Sequence, residues 1–76
     1  MTTLTVVTFE PQTLGVYIDG EIYTRGESYM EGRILREIME SNIEIDNTET
    51  NHAYPEKWNG MPQTLDELKE MYETEH

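Results

Sequence analysis

His52 and His76 are the only side chains here that titrate near neutrality, and the chain has no cysteine. A nucleophilic centre would have to be assembled from His52, from Ser28 or Ser41, and from a carboxylate. Nothing in the spacing of these residues points to such a set. Sixteen acids in 76 residues make paired carboxylates inevitable, so the pairs carry no information. A chain this short also has little room for a pocket that strips water from a substrate. The expectation is a protein that is not an enzyme and needs no cofactor.

Metal chemistry is a second possibility to weigh. The run 46–52, Asp-Asn-Thr-Glu-Thr-Asn-His, is rich in oxygen donors of the kind hard cations prefer. It lacks the D-x-[DN]-x-[DN]-G pattern and the closing bidentate glutamate of a calcium loop. Casual cation binding fits this run better than a dedicated metal site.

Charge is the strongest compositional signal. The formal net charge is −11, and it is unevenly spread. Residues 1–36 hold five acids and three arginines, a net of −2, while residues 37–76 hold eleven acids and two lysines, a net of −9. Such a half repels a phosphate backbone and an anionic membrane. Direct nucleic-acid binding and membrane binding are therefore disfavoured, and a basic protein surface is the expected partner. A compact protein with carboxylates strung over its surface can present a field like that of a duplex and occupy a basic groove. Glu37, Glu40, Glu44, Asp46, Glu49, Glu56, Asp66, Glu67, Glu70 and Glu73 are the candidates for that role. In size, acidity and lack of cysteine the chain is similar to small phage-encoded inhibitors of restriction or CRISPR systems. That likeness is one of composition and rests on no motif. The competing reading is a small homo-oligomeric structural or regulatory accessory protein whose acidity only keeps it soluble.

The other candidate is an aromatic loop, Tyr54–Pro62, with two prolines and a glycine around the only tryptophan. Tyr54 and Trp58, with Lys57 and Met61, form an amphipathic cluster of residue types enriched at interface centres. Trp58 could equally plug one end of a small core.

These residues must be positioned by one domain spanning 1–76. The sequence predicts an α+β fold: a three- to four-stranded antiparallel meander with a main helix on one face and a short C-terminal helix. Thr3–Phe9 is rich in β-branched residues and reads as a strand. Strands over 14–18 and 21–25 flank Asp19-Gly20, a two-residue turn that needs positive φ at both positions. A simple two-residue turn would set Ile18 opposite Glu21, Tyr17 opposite Ile22 and Val16 opposite Tyr23. Leu14, Val16, Ile18 and Tyr23 would then share one face, and Tyr17 and Ile22 the other. The second face is either covered by the C-terminal segment or left open as a partner or homodimer surface.

Arg25-Gly26-Glu27 reads as the strand-to-helix turn. Ser28 and Glu31 fit a capping box opening a helix over 28–41. Met30, Ile34, Leu35, Ile38 and Met39 form its apolar stripe, with both methionines as core filler. Gly32 suggests close approach of that helix to the sheet, and Asn42 suits a left-handed C-terminal position. Ile43–Asp46 alternates apolar and acidic residues like a short fourth strand, and Asn47–Ala53 reads as loop. Thr64 and Glu67 form a second capping box, with Leu65, Leu68, Met71 and Tyr72 as the stripe behind it. A chain of this length buries only about 60% of its unfolded surface, so a partner or self-association would help it. No apolar run spans a bilayer, and the first residues lack the pattern of a signal peptide. A cytoplasmic location is expected.

Overall fold

The computed structural model of the chain describes residues 1–9, 12–55, 57–58 and 60–75, the side chain of Glu75 excepted. Its strands are β1 (Thr3–Phe9), β2 (Thr13–Ile18), β3 (Glu21–Glu27), β4 (Asn47–Ala53) and the two-residue β5 (Thr74–Glu75). Its helices are α1 (Glu31–Glu40) and α2 (Leu65–Met71). The strand order is β3-β2-β1-β4-β5. The α+β fold is as the sequence predicts, but the sheet is mixed. β1–β2, β2–β3 and β4–β5 are antiparallel, and β1–β4 is parallel.

The parallel pair follows from the route of the chain. β3 lies at one edge, and α1 then crosses the sheet face to the far side of β1. A strand reached by a helical crossover runs parallel to the strand that preceded the helix. β1 is buried along both faces over residues 4–7, so its backbone groups need partners on both edges. β2 supplies one edge. The polar run 47–53 supplies the other, because a ladder needs main-chain groups and asks little of side chains. Ile43–Asp46 is therefore not the fourth strand. Ile43 and Ile45 tuck half-buried under α1 instead, and the strand starts one residue after Asp46. A sequence that is polar and turn-rich hides this, since its side chains over 47–50 are exposed.

The hairpin turn is as expected: Asp19 has φ 52° and Gly20 φ 86°. Its register is correct for Ile18–Glu21 and Tyr17–Ile22, and then a bulge intervenes. Val16 faces Thr24, not Tyr23. Tyr23 is the extra residue, and it is 49% exposed rather than in the core. β3 also runs on through Arg25-Gly26-Glu27. At Gly26 an added Cβ would lie 3.2 Å from the Ile34 Cδ1, so the glycine lets α1 approach the sheet. Gly32 does not have that role: it is exposed, and nothing lies within 4 Å of an added Cβ.

The entry to α1 differs from the capping box. Ser28–Met30 forms a 3₁₀ turn, and no side chain caps either it or the helix. The Ser28 N–H is held instead by the Gln12 carbonyl at 2.6 Å. At the other end Asn42 takes the left-handed conformation with φ 65°. The α2 cap forms: the Glu67 N–H donates to the Thr64 Oγ1 at 3.1 Å. The Glu67 carboxylate reaches back to the Gln63 N–H, 3.0 Å away, one residue earlier than a standard box.

Two cores result, one on each face of the sheet. Leu4, Val6, Leu14 and Val16 pack under Ile34 and Ile38 of α1. Val7, Phe9, Tyr17 and Ala53 pack under Leu68 and Tyr72 of the C-terminal segment. The Tyr17–Ile22 face is therefore covered by the C-terminal segment, with Tyr17 wholly buried. The same segment meets the start of the β3 edge: the Ile22 N–H donates to the Gln63 carbonyl, and the Leu65 N–H to the Gly20 carbonyl of the turn, both at 2.9 Å. No helix among the described residues is long and apolar enough to cross a membrane.

Candidate partner-binding surface

The layering separates the acids. Glu37 and Glu40 sit on the outer side of α1, while Glu67 and Glu70 sit on α2 across the sheet. Glu49 pairs with Thr5 and so shares the α2 side, by the alternation of side chains along a strand. Glu44 and Asp46 lie in the connection from α1 to β4. The carboxylates thus form two fields, one per face. Glu56 and His76 lie outside the described residues.

The two fields differ in neutralisation. Arg33 lies 3.7 Å from Glu37, and Arg36 3.8 Å from Glu40, both i,i+4 pairs on exposed side chains. Such pairs contribute only about 0.3–0.5 kcal/mol, but they offset the charges of Glu37 and Glu40 and leave Glu31 as the acid of α1 without an ion pair among the described residues. Glu44, Glu49, Asp66, Glu70 and Glu73 make no ion pair among the described residues. Asp46 is partly committed to structure: its Oδ2 accepts the Thr2 N–H at 2.7 Å, pinning the start of β4 beside β1.

The aromatic loop is built onto the α2 core. Trp58 meets Phe9 edge-on, with centroids 5.7 Å apart, and stacks on Tyr72 at 6.0 Å. It is nonetheless 48% exposed, so one side plugs the core and the other faces outward. Two buried hydroxyls hold the loop down. The Tyr17 hydroxyl donates to the Pro62 carbonyl at 2.7 Å, and the Tyr72 hydroxyl to the Gly60 carbonyl at 2.9 Å. Burial, with the Glu67 charge as the next contribution, pushes the Tyr17 hydroxyl up to about 12. Gly15 makes room for this arrangement, since a Cβ there would lie 3.1 Å from the Tyr17 ring and 3.2 Å from the Met61 sulfur and the Phe9 ring. The α2 side thus carries Trp58, Glu49, Glu67 and Glu70. Tyr54 is also exposed, beyond the end of β4.

The run 46–52 does not converge as a metal site would. As a strand it sends alternate side chains to opposite faces. Among the described residues no group of three or more His, Asp or Glu could hold an ion.

Sequence reasoning missed an apolar groove. Met39, read as core filler, is 79% exposed. With Leu4, Leu35, Ile38, Ile45 and Thr48 it lines a depression of about 180 Å³ between α1 and β4. The periodicity placed Met39 on the apolar stripe correctly, but only the position of β4 leaves it uncovered. No protein family, curated protein or solved structure matches the chain.

Proposed function

We propose that this is a non-enzymatic acidic binding protein, an inhibitor or decoy of the phage type. It engages the basic, nucleic-acid-binding surface of a target protein. The observation that carries the reading is the contrast in charge pairing. Among the described residues Glu37 and Glu40 of α1 are paired with arginines, whereas Glu49 of β4 and Asp66 and Glu70 of α2 make no ion pair, on the face that also carries the half-exposed Trp58. Unmatched carboxylates keep their long-range field, which steers a cationic partner. Trp58 supplies an apolar anchor for short-range affinity.

The test is a titration against a nucleic-acid-binding target, with that target's own nucleic acid as competitor. Affinity should fall as salt rises from about 0.05 to 0.5 M, where the Debye length shrinks from roughly 14 to 4 Å. Glu67→Gln with Glu70→Gln should slow association more than it speeds dissociation. Binding that ignores salt, to a target still holding its nucleic acid, would sink the mimicry reading.

A further inference from the structure

Among the described residues, the outer edge of β4 is paired over only part of its length. β5 pairs only with His52 and Ala53. The Asn47 N–H donates to the Thr2 carbonyl on the β1 side. The Tyr54 N–H donates to the Glu73 carbonyl on the β5 side. Backbone groups alternate along a strand, so Asn47, Glu49, Asn51 and Ala53 bond to β1. Thr48 and Thr50 then turn both N–H and C=O outward, beyond the end of β5. An edge of this kind is a template for another strand, and β5 is already one strand added to it.

The apolar groove lies beside the same residues. Thr48 is both an outward-facing edge residue and part of the groove wall, with Leu4, Leu35, Ile38, Met39 and Ile45. At about 180 Å³ it is smaller than the roughly 300 Å³ at which small-molecule pockets begin. It is close to the ~150 Å³ void known to take a benzene ring. The fit is one leucine- or phenylalanine-sized side chain. Strand addition uses this combination: main-chain bonds for affinity, and a pocket for alternate side chains.

Charge selects the occupant. Residues 37–56 contain no lysine or arginine, and Glu44, Asp46 and Glu49, which make no ion pair among the described residues, neighbour the edge or the groove in sequence. The same charge opposes a second copy of the chain. The antiparallel register that pairs both Thr48 and Thr50 sets Glu49 against Glu49 of the other copy, in the closer, non-hydrogen-bonded pair. We propose that the Asn47–Thr50 edge of β4 and the groove beneath it dock an extended cationic segment of a partner protein, with one large apolar side chain in the groove. This site stands apart from the mimicry reading, since such a segment docks here whether or not its protein binds nucleic acid.

The experiment uses the full chain and a short, end-blocked peptide of alternating lysine and leucine, followed by amide NMR and hydrogen exchange. The Thr48 and Thr50 amides should shift and exchange more slowly with peptide. Thr50→Pro removes an outward N–H at an edge position where proline is tolerated, and Met39→Glu blocks the groove from an exposed position. Each should weaken binding by about tenfold. A peptide of alternating lysine and proline carries the same charge but cannot pair as a strand, and it should not bind at this edge. The proposal is overturned by equal affinity for the proline peptide, by silence of Met39→Glu, by no binding at millimolar peptide, or by shifts confined to α2. Protection of the two threonine amides without peptide, with a doubled mass in sedimentation, would make a second copy the occupant and overturn it as well. If Thr50→Pro does not fold, amide protection and Met39→Glu still decide. Glu67→Gln with Glu70→Gln leaves this site intact, so its failure and that of the mimicry reading are separable.

Discussion

The two faces of the sheet are built by different physics. The α1 face is aliphatic: Leu4, Val6, Leu14, Val16, Ile34 and Ile38 interdigitate, and shape and area do the stabilising. The α2 face is aromatic and directional. A seven-residue helix covers it only in part, so Trp58, Met61 and Pro62 complete the cover. Two tyrosine hydroxyls fasten this stretch by its carbonyls. A short domain can thus close a second core with little regular structure when its buried hydroxyls find partners, although the Asn51 Oδ1 on the same face has none among the described residues. It becomes sensitive to single atoms on that face.

The sharpest break in the comparison is truncation on each side. Tyr17→Ala should cost about 4 kcal/mol in chemical denaturation, since it removes a fully buried ring and unpairs the Pro62 carbonyl. It should also shift the emission of Trp58. Ile38→Ala should cost about 2–4 kcal/mol and leave Trp58 emission unchanged, because its effect is a cavity on the other face. Emission changes of equal size in both variants would mean the faces are not independent.

The hydroxyl itself gives a pH signature. Tyr17 ionises near 10.0 when unfolded and near 12 when folded, so the folded state holds the proton longer. The stability it contributes is complete below pH 10.0 and is lost as pH rises toward about 12. The fall should be up to about 2–3 kcal/mol. Tyr17→Phe should flatten that part of the stability–pH curve. The same alkaline loss in the Phe variant would assign it elsewhere.

Two glycines sharpen the contrast at the smallest scale. Gly15→Ala should destabilise by about 1–2 kcal/mol, because its methyl group meets the Tyr17 and Phe9 rings and the Met61 sulfur on the tightly fastened face. Gly32→Ala should stabilise by about 1 kcal/mol, because that helix position is open and alanine is the better helix former. Thermal midpoints moving in opposite directions would bear this out; movement in the same direction would break it.

Local chemistry by itself determined much of this protein. Asp19-Gly20 specifies its turn through positive φ, Thr64 and Glu67 their cap, Asn42 the end of α1, and the spacing of Ile34 and Ile38 the buried side of that helix. The acidity and its bias to the second half are also written in the residues. Tertiary structure decided what depends on main-chain partners far away in the chain. The polar run 47–53 became a strand because the buried edge of β1 required hydrogen bonds that any backbone can supply. A bulge moved Tyr23 out of the core, and the 3₁₀ turn replaced the Ser28 cap once the Ser28 N–H met the Gln12 carbonyl. The groove at Met39 and the open edge at Thr48 and Thr50 exist only because β4 lies where it does. Side-chain pattern reports which residues avoid water, whereas a ladder is satisfied by groups that every residue carries, and so its course leaves little trace in the sequence.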